Sequence, residues 1–391
     1  MRHLILHLAA LHLGSGHSYL GVRAPERARE ADAVLDRVAD WVIEGGGSEV
    51  GAVLIAGDLF DTPRPPEPLA EAVVRALSRI EAAGVRVVTV PGNHDEWTYG
   101  DGVFRRWADS WPGILATARA PERVARFPLG DRTIEVVSCA FQQGRNPPPG
   151  SWEDPFAGEP KGEARRIGLF HGTLDAIGGI VAEGPRAFRI DHARLAGWGL
   201  DYLALGHIHK PETFRHGACL ARYPGPIEGL GFDDPGARAL TLVDLSAGEP
   251  VIRSFGAGDA WVRARAVATE RIDLVGIGTA EALEARLDAL CDPQAPQPIL
   301  RVVLEGRPAF PLDPDEIRRR LVPRTFHLEI EGGGGETAPS DWEPLAGQST
   351  LEGSFARCVL ERRDRESDPD RRSHFDRVAA AGLRALGRDR T

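Results

Sequence analysis

Short, mostly apolar runs are the feature of this chain that most restricts its fold. They are Leu4 to Leu8, Ala52 to Ala56, Val85 to Val90, Ile134 to Ser138, Ile167 to Phe170 and Tyr202 to Leu205. Runs of four to six residues, rich in Val, Ile and Leu, suit strands covered on both faces. Amphipathic stretches separate them. Arg27 to Ile43 carries Ala31, Val34, Leu35, Val38 and Val42 at helical spacing, and Leu69 to Ala82 does the same with Ala72, Val73, Ala76, Leu77 and Ile80. Alternating strand and helix signals predict a layered α/β domain, in which ligands gather beyond the carboxyl ends of strands.

That domain is expected to span 1–255, closing with edge strands at Leu240 to Asp244 and Val251 to Arg253. Residues 256–335 read as a small α/β cap, with helices near Ala280 to Leu290 and Asp315 to Leu321 and strands at Ile299 to Leu304 and Phe326 to Ile330. Gly332 to Gly335 and the polar residues after them read as a flexible linker. In the tail, 336–391, one helix is expected from Ser349, with Glu352 completing a capping box, and another from Ser373, with Asp376 in the matching place. Phe375, Val378, Ala379, Leu383 and Leu386 form an apolar stripe on the second, suited to packing on the cap or to docking a partner.

With 42% hydrophobic and 27% charged residues, the 391-residue chain can bury a sizeable core. A net charge of −10 argues against holding nucleic acid by bulk electrostatics alone. Cys139, Cys219, Cys291 and Cys358 are far apart and form no CxxC pair, so neither a disulfide framework nor a cysteine zinc site is expected, and a reducing cytoplasm is the natural compartment. No membrane-length apolar run occurs.

The strand ends carry the chemistry. They read His12-Leu13-Gly14, Gly57-Asp58-Leu59-Phe60-Asp61, Gly92-Asn93-His94-Asp95, His171-Gly172 and Gly206-His207-Ile208-His209. Imidazole, carboxylate and amide oxygen are ligands for hard and borderline divalent metals, and strand ends meet at one rim. Any one of these histidines alone is more often a hydrogen-bonded residue than a ligand, and Gly-Asp alone is a turn. Their succession in one chain is far more specific.

This succession resembles the calcineurin-like binuclear metallophosphoesterases, whose signature is D-x-H, GD, GNH(D/E), H and GHxH at successive strand ends. More narrowly, His7 to Gly14, Gly57 to Asp61 and Leu205 to Pro211, followed by Tyr223-Pro224-Gly225, are similar to SbcD-type DNA repair nuclease subunits. The resemblance covers the first 255 residues; the cap and tail match in layout only. It implies a sheet sandwich flanked by helices, and two metal ions bridged by Asp58. His12, Asp58 and His209 would hold the first; Asp58, Asn93, His171 and His207 would hold the second. Such a pair binds both sides of one phosphodiester and lowers the pKa of a shared water. Manganese is the family expectation, and the ligand set also suits iron or zinc. His94 would protonate the leaving oxygen or steady phosphoryl charge, with Asp95 orienting it and Asp61 behind the ligands or capping its turn.

One position departs from the signature: Ala10 stands where D-x-H requires aspartate. The first ion therefore loses an anionic ligand, which predicts weak occupancy and impaired hydrolysis. A single change in an otherwise intact constellation fits a degenerate member or a deliberate removal, and favours the second. DNA is the implied substrate, with arginines such as Arg105, Arg106, Arg145, Arg165 and Arg166 available to line a cleft. An SbcC-like ATPase docked on the tail is the implied partner. A homodimer would pair the apolar faces of the early helices, which the sheet could equally consume. The alternatives are a small-molecule phosphodiesterase or phosphatase, and a non-catalytic binding subunit.

Overall fold

The computed structural model describes residues 2–175, 188–232, 234, 239–246, 248–256, 264–306, 312, 314–332 and 345–368, with 371, 372, 374, 375, 378, 379, 382 and 386. The chain forms two compact units, Met1–Ala268 with Asp292–Ile299, and Thr269–Cys291 with Leu300–Thr391.

In the first unit the strands are β1 (Leu4–Leu8), β2 (Val50–Ala56), β3 (Arg86–Val90), β4 (Ile114–Leu115), β5 (Glu122–Leu129), β6 (Arg132–Ser138), β7 (Arg165–Leu174), β8 (Phe188–Ile190), β9 (Tyr202–Gly206), β10 (Glu212–His216), β11 (Cys219–Tyr223), β12 (Ala239–Asp244) and β13 (Val251–Gly256). One sheet runs β13-β12-β1-β2-β3-β4; the other runs β10-β11-β9-β7-β6-β5, with β8 beside β7. The helices are α1 (Ala24–Asp32), α2 (Val34–Glu44), α3 (Glu67–Ala82), α4 (Val103–Arg106) and α5 (His192–Gly197).

The layering follows from the period of two within each apolar run. On β1, Leu4, Leu6 and Leu8 share a core with α2 and α3, while Ile5 turns the other way and packs with Ile167 and Leu169 of β7. The outer face of the second sheet buries Val137, Phe170 and Leu203 against Trp152, Phe156 and Trp198. Both sheets are thus covered on both sides, as the apolar runs suggest.

Two details differ from expectation, and a third decides between readings left open. Arg27 to Ile43 is two helices that meet at a turn at Ala33, where φ is −80° and ψ 0°. Strand β7 runs past His171 to Leu174, because β8 pairs with Gly172, Thr173 and Leu174. The apolar faces of α2 and α3 are consumed by the chain's own core, so a homodimer would have to use other surfaces.

A buried ion-pair cluster ties α1 and α2 to the segment after β11. Arg27, 1% exposed, donates to Glu228 at 2.8 Å, and Arg37 donates to the other Glu228 oxygen at 2.5 Å. Glu228 is itself 2% exposed. Removing it takes a carboxylate from both arginines and leaves buried Arg27 the more distant Glu30 at 3.8 Å, so Glu228→Ala should cost about 3 kcal/mol, measured by urea unfolding.

The second unit forms a sheet of β14 (Val267–Asp273), β15 (Ile299–Glu305) and β16 (His327–Gly332), with α6 (Ala280–Asp288) and α7 (Pro314–Leu321). In the tail, α8 (Leu351–Asp364) is capped by Thr350, whose hydroxyl accepts from the Gly353 N–H at 3.0 Å. The cap is one residue later than Ser349 because Thr350 is the last extended residue. Residues 371, 372, 374, 375, 378, 379, 382 and 386 are helical, and Phe375 and Ala379 pack on Phe355 and Val359 of α8. Gly333 to Gly335, Ser373, Asp376 and Leu383 lie outside the described residues. Among the described residues, no helix is long and apolar enough to cross a membrane.

Candidate metal centre

The five loops converge from both sheets: those after β1, β2 and β3 from one, and the ends of β7 and β9 from the other. The loops after β1 and β2 stay paired beyond their strands, with Ala10 N–H donating to Gly57, His12 N–H to Asp58 and Leu13 N–H to Leu59, each near 3 Å. This close track bends the backbone into the left-handed region at Ala10 (φ 52°), His12 (φ 46°) and Asp58 (φ 51°), and His207 on β9's loop has φ 98°. Such strain persists only where surrounding structure enforces it, and it clusters at functional sites. A side chain at Gly92 would strike the Asp58 carboxylate, and one at Gly206 would strike the Ala56 carbonyl oxygen, so both motif glycines are spatial necessities.

Two groups of ligand atoms lie within 4.8 Å of one another among the described residues: His12, Asp58 and His94, and Asp58, His171 and His207. Asp58 is common to both. His209 joins the first through His12, their Nε2 atoms 3.2 Å apart. Asn93 joins the second, its Oδ1 lying 2.9 Å from His171 Nε2 and 3.1 Å from His207 Nδ1. The structure thus brings every expected ligand residue to one place.

The histidines' outer nitrogens test whether cations fit. His12 Nδ1 lies 3.0 Å from the Asp61 carboxylate, His209 Nδ1 lies 3.3 Å from Asp234, and His171 Nδ1 lies 2.8 Å from the Ala56 carbonyl. These neighbours only accept, so each Nδ1 carries a proton and Nε2 is the nitrogen left to face an ion. His12 and His209 thus turn Nε2 toward one another, and His171 turns its Nε2 toward Asn93 Oδ1 and Asp58 Oδ2, the latter 3.1 Å away. Facing acceptors need positive charge between them, a proton or a cation, so the donor set fits divalent ions.

The titration behaviour agrees. Burial disfavours charge on both Asp58 and His171, yet each stabilises the other's charge, holding the carboxyl well below its usual range and the imidazole above it. Burial and then the neighbouring His171 push His207 down to about 4.

Asp95 takes a different place from the expected one. Its buried carboxylate accepts from the N–H groups of Gly92 at 2.7 Å and Phe60 at 3.0 Å, so it braces the loop backbone and not the His94 ring. Burial and the nearby Asp58 charge raise it to about 6. His94 is oriented instead by Asp61, its Nδ1 lying 3.2 Å from that residue's carbonyl, while its own N–H donates to Asp58 at 2.9 Å. Asp234 was not legible in the sequence; a lone acid in a loop carries no periodic signal.

Arg165 and Arg166 do not line this centre. They sit at the opposite end of β7 from His171, about 15–20 Å away at strand rise, and pair with Asp201 and Glu135. Arg106 is paired with Glu67, and the Arg145 carbonyl accepts from Arg119.

His17, in the loop that follows His12, is 4% exposed, and its ring lies edge-on to Tyr19. Burial, followed by the Arg27 charge, lowers it from 6.5 to about 4. Neutral His17 therefore contributes stability present above pH 6.5 and lost as pH falls toward 4. His17→Asn, which tolerates the same left-handed backbone, should flatten that part of the pH dependence of urea unfolding.

Residues 3–211 match the calcineurin-like phosphoesterase family. Over 271 residues the chain is 28% identical to the SbcD component of nuclease SbcCD from Bacillus subtilis, covering 63% of this chain and 67% of that protein. It is 32% identical over 289 residues to the component of the same name from Escherichia coli K12, covering 63% and 66%. It is 27% identical over 265 residues to "DNA double-strand break repair protein Mre11" of Methanopyrus kandleri, covering 64% and 55%. The matches thus span from about half to two thirds of the relatives' length. With more than half of its length in that match and the family's donor set gathered around Asp58, the chain belongs to the calcineurin-like phosphoesterases.

Proposed function

We propose that this chain is an SbcD-type phosphodiesterase directed at DNA, with a first metal position weakened by Ala10. The observation that carries this is the sharing of Asp58 between two ligand groups. The similarity to proteins named for SbcCD and Mre11 supports DNA over a small phosphodiester.

Asp58, Asn93, His171 and His207 would hold one ion, and Asp58, His12 and His209 the other, with manganese the first candidate and iron or zinc also suited. When bound, the ions would supply Lewis acidity toward a phosphodiester and a lowered pKa for water. Asp61, Asp234 and the Ala56 carbonyl keep three histidines in the tautomer that presents Nε2 inward. His94 is the ligand-group histidine most open to solvent, its side chain 40% exposed. With Nδ1 donating to the Asp61 carbonyl, the ring that carries a second proton, on Nε2, could pass that proton to a leaving oxygen.

Within the tail, α8 and the following helix bury one face against each other and leave Leu351 68% exposed. That surface supports docking of an SbcC-like ATPase. A homodimer and a cytoplasmic setting are further parts of the reading.

The test is cleavage of end-labelled duplex DNA by the Ala10→Asp chain with Mn2+, beside hydrolysis of bis(4-nitrophenyl) phosphate. Cleavage of DNA supports the reading; hydrolysis of only the small diester favours a small-molecule phosphodiesterase. Ala10 itself favours a second reading, a non-catalytic binding subunit, which predicts that neither substrate is cleaved.

A further inference from the structure

The metal donors can grip one phosphodiester, but a polymer also needs purchase beside it. The loop after His94 is held unusually firmly. Asp95 is fixed to Gly92 and Phe60, and buried Glu96 accepts from the Thr98 hydroxyl and the Gln143 N–H, both at 2.6 Å. Trp97 packs against both apolar cores flanking the first sheet. On its ring lies Arg105, the guanidinium carbon 3.8 Å from the ring centroid, with Nε donating to the Trp97 carbonyl at 3.0 Å.

Arg105 is therefore anchored by stacking and by Nε, and both terminal nitrogens stay available on an exposed side chain. Its neighbours are neutralised: Arg106 pairs with Glu67 and Arg64 with Asp101. The contacts that anchor Arg105, the stack on Trp97 and the Nε bond to its carbonyl, use no carboxylate and leave the guanidinium charge unneutralised by either. Trp97 follows His94 by three residues, so their Cα atoms are at most about 11 Å apart.

We propose that Arg105, held flat on Trp97, binds a backbone phosphate of the nucleic acid next to the phosphodiester at the metal centre. This rests on the DNA reading above and makes the substrate a polymer. A planar, pre-oriented fork gives two charge-assisted hydrogen bonds to a phosphate with little ordering left to do.

The experiment is fluorescence anisotropy of a short labelled duplex with the chain as it stands, in Mn2+, across a salt series. Arg105→Gln should weaken binding roughly five- to tenfold and lower the slope of log affinity against log salt by about one. Arg105→Lys should fall between. Arg75→Gln, on exposed α3 beside Glu71, should match the parent. In the Ala10→Asp background, Arg105→Gln should raise KM for DNA and leave bis(4-nitrophenyl) phosphate hydrolysis unchanged. Affinity that Arg105→Gln leaves equal to that of Arg75→Gln overturns this proposal alone. Absence of DNA binding by the parent overturns the DNA reading and this proposal with it.

Discussion

Replacing Ala10 with aspartate should raise manganese-dependent phosphodiester cleavage by at least about 100-fold, since even residues that only back a ligand contribute 10- to 100-fold. The backbone at position 10 is already in the left-handed conformation, φ 52°, where alanine is strained by about 1 kcal/mol and aspartate is better tolerated. Relief of strain alone cannot explain a gain, because Ala10→Gly would relieve it too. The two variants therefore separate backbone from ligand: glycine should stabilise the chain and leave metal binding unchanged, whereas aspartate should add an ion. Without metal, the introduced carboxylate sits close to the Asp58 loop as a second buried anion and should lower the unfolding midpoint; with Mn2+ it should raise it. Calorimetric titration would read the stoichiometry, and a count unchanged by Ala10→Asp would overturn the first-site assignment.

Asp58→Asn should abolish binding of both ions together, while His209→Gln and His207→Gln should each affect one. Asparagine is the informative replacement because it keeps the shape and suits the left-handed φ of 51°. Its Oδ1 can still accept from the His94 N–H, and its amide can donate to His171 Nε2 once the loss of the carboxylate's charge lets that nitrogen give up its proton. Metal-free stability should therefore fall by less than the about 3–5 kcal/mol expected for cutting a buried ion pair with no replacement hydrogen bond. Cleavage in the Ala10→Asp background should fall on the order of 1000-fold or more, as several kcal/mol of Lewis-acid stabilisation are lost. Retention of either ion by Asp58→Asn would show that the two sites do not share this residue.

The parallel interior strands were legible because burial on both faces leaves a mostly apolar run, and their loops were legible because Gly, Asn, Asp and His are poor strand material. The outer strands were harder. β5 alternates exposed and buried residues and contains Arg123, Arg126 and Pro128, and β10 is largely exposed, so neither gives a continuous signal. The donor atoms were readable from residue type, but their supports were not. Asp234 behind His209 and the Ala56 carbonyl behind His171 are tertiary neighbours brought in from elsewhere in the chain. Asp95 shows the converse error: adjacency to His94 suggested a partner, but the side chain turned back to two N–H groups that would otherwise be buried unpaired.

The hydrogen bond from His171 to the Ala56 carbonyl joins β7 of one sheet to β2 of the other at the point where Asp58 begins its loop. A cation seated there would work as a clasp across the sandwich, with ligands drawn from both halves. Cohesion of the two layers and retention of the ion then become one linked equilibrium: at a free metal concentration of 100 times Kd, about 2.7 kcal/mol of protection against unfolding follows. Chelation should loosen the layers before it disturbs any single strand.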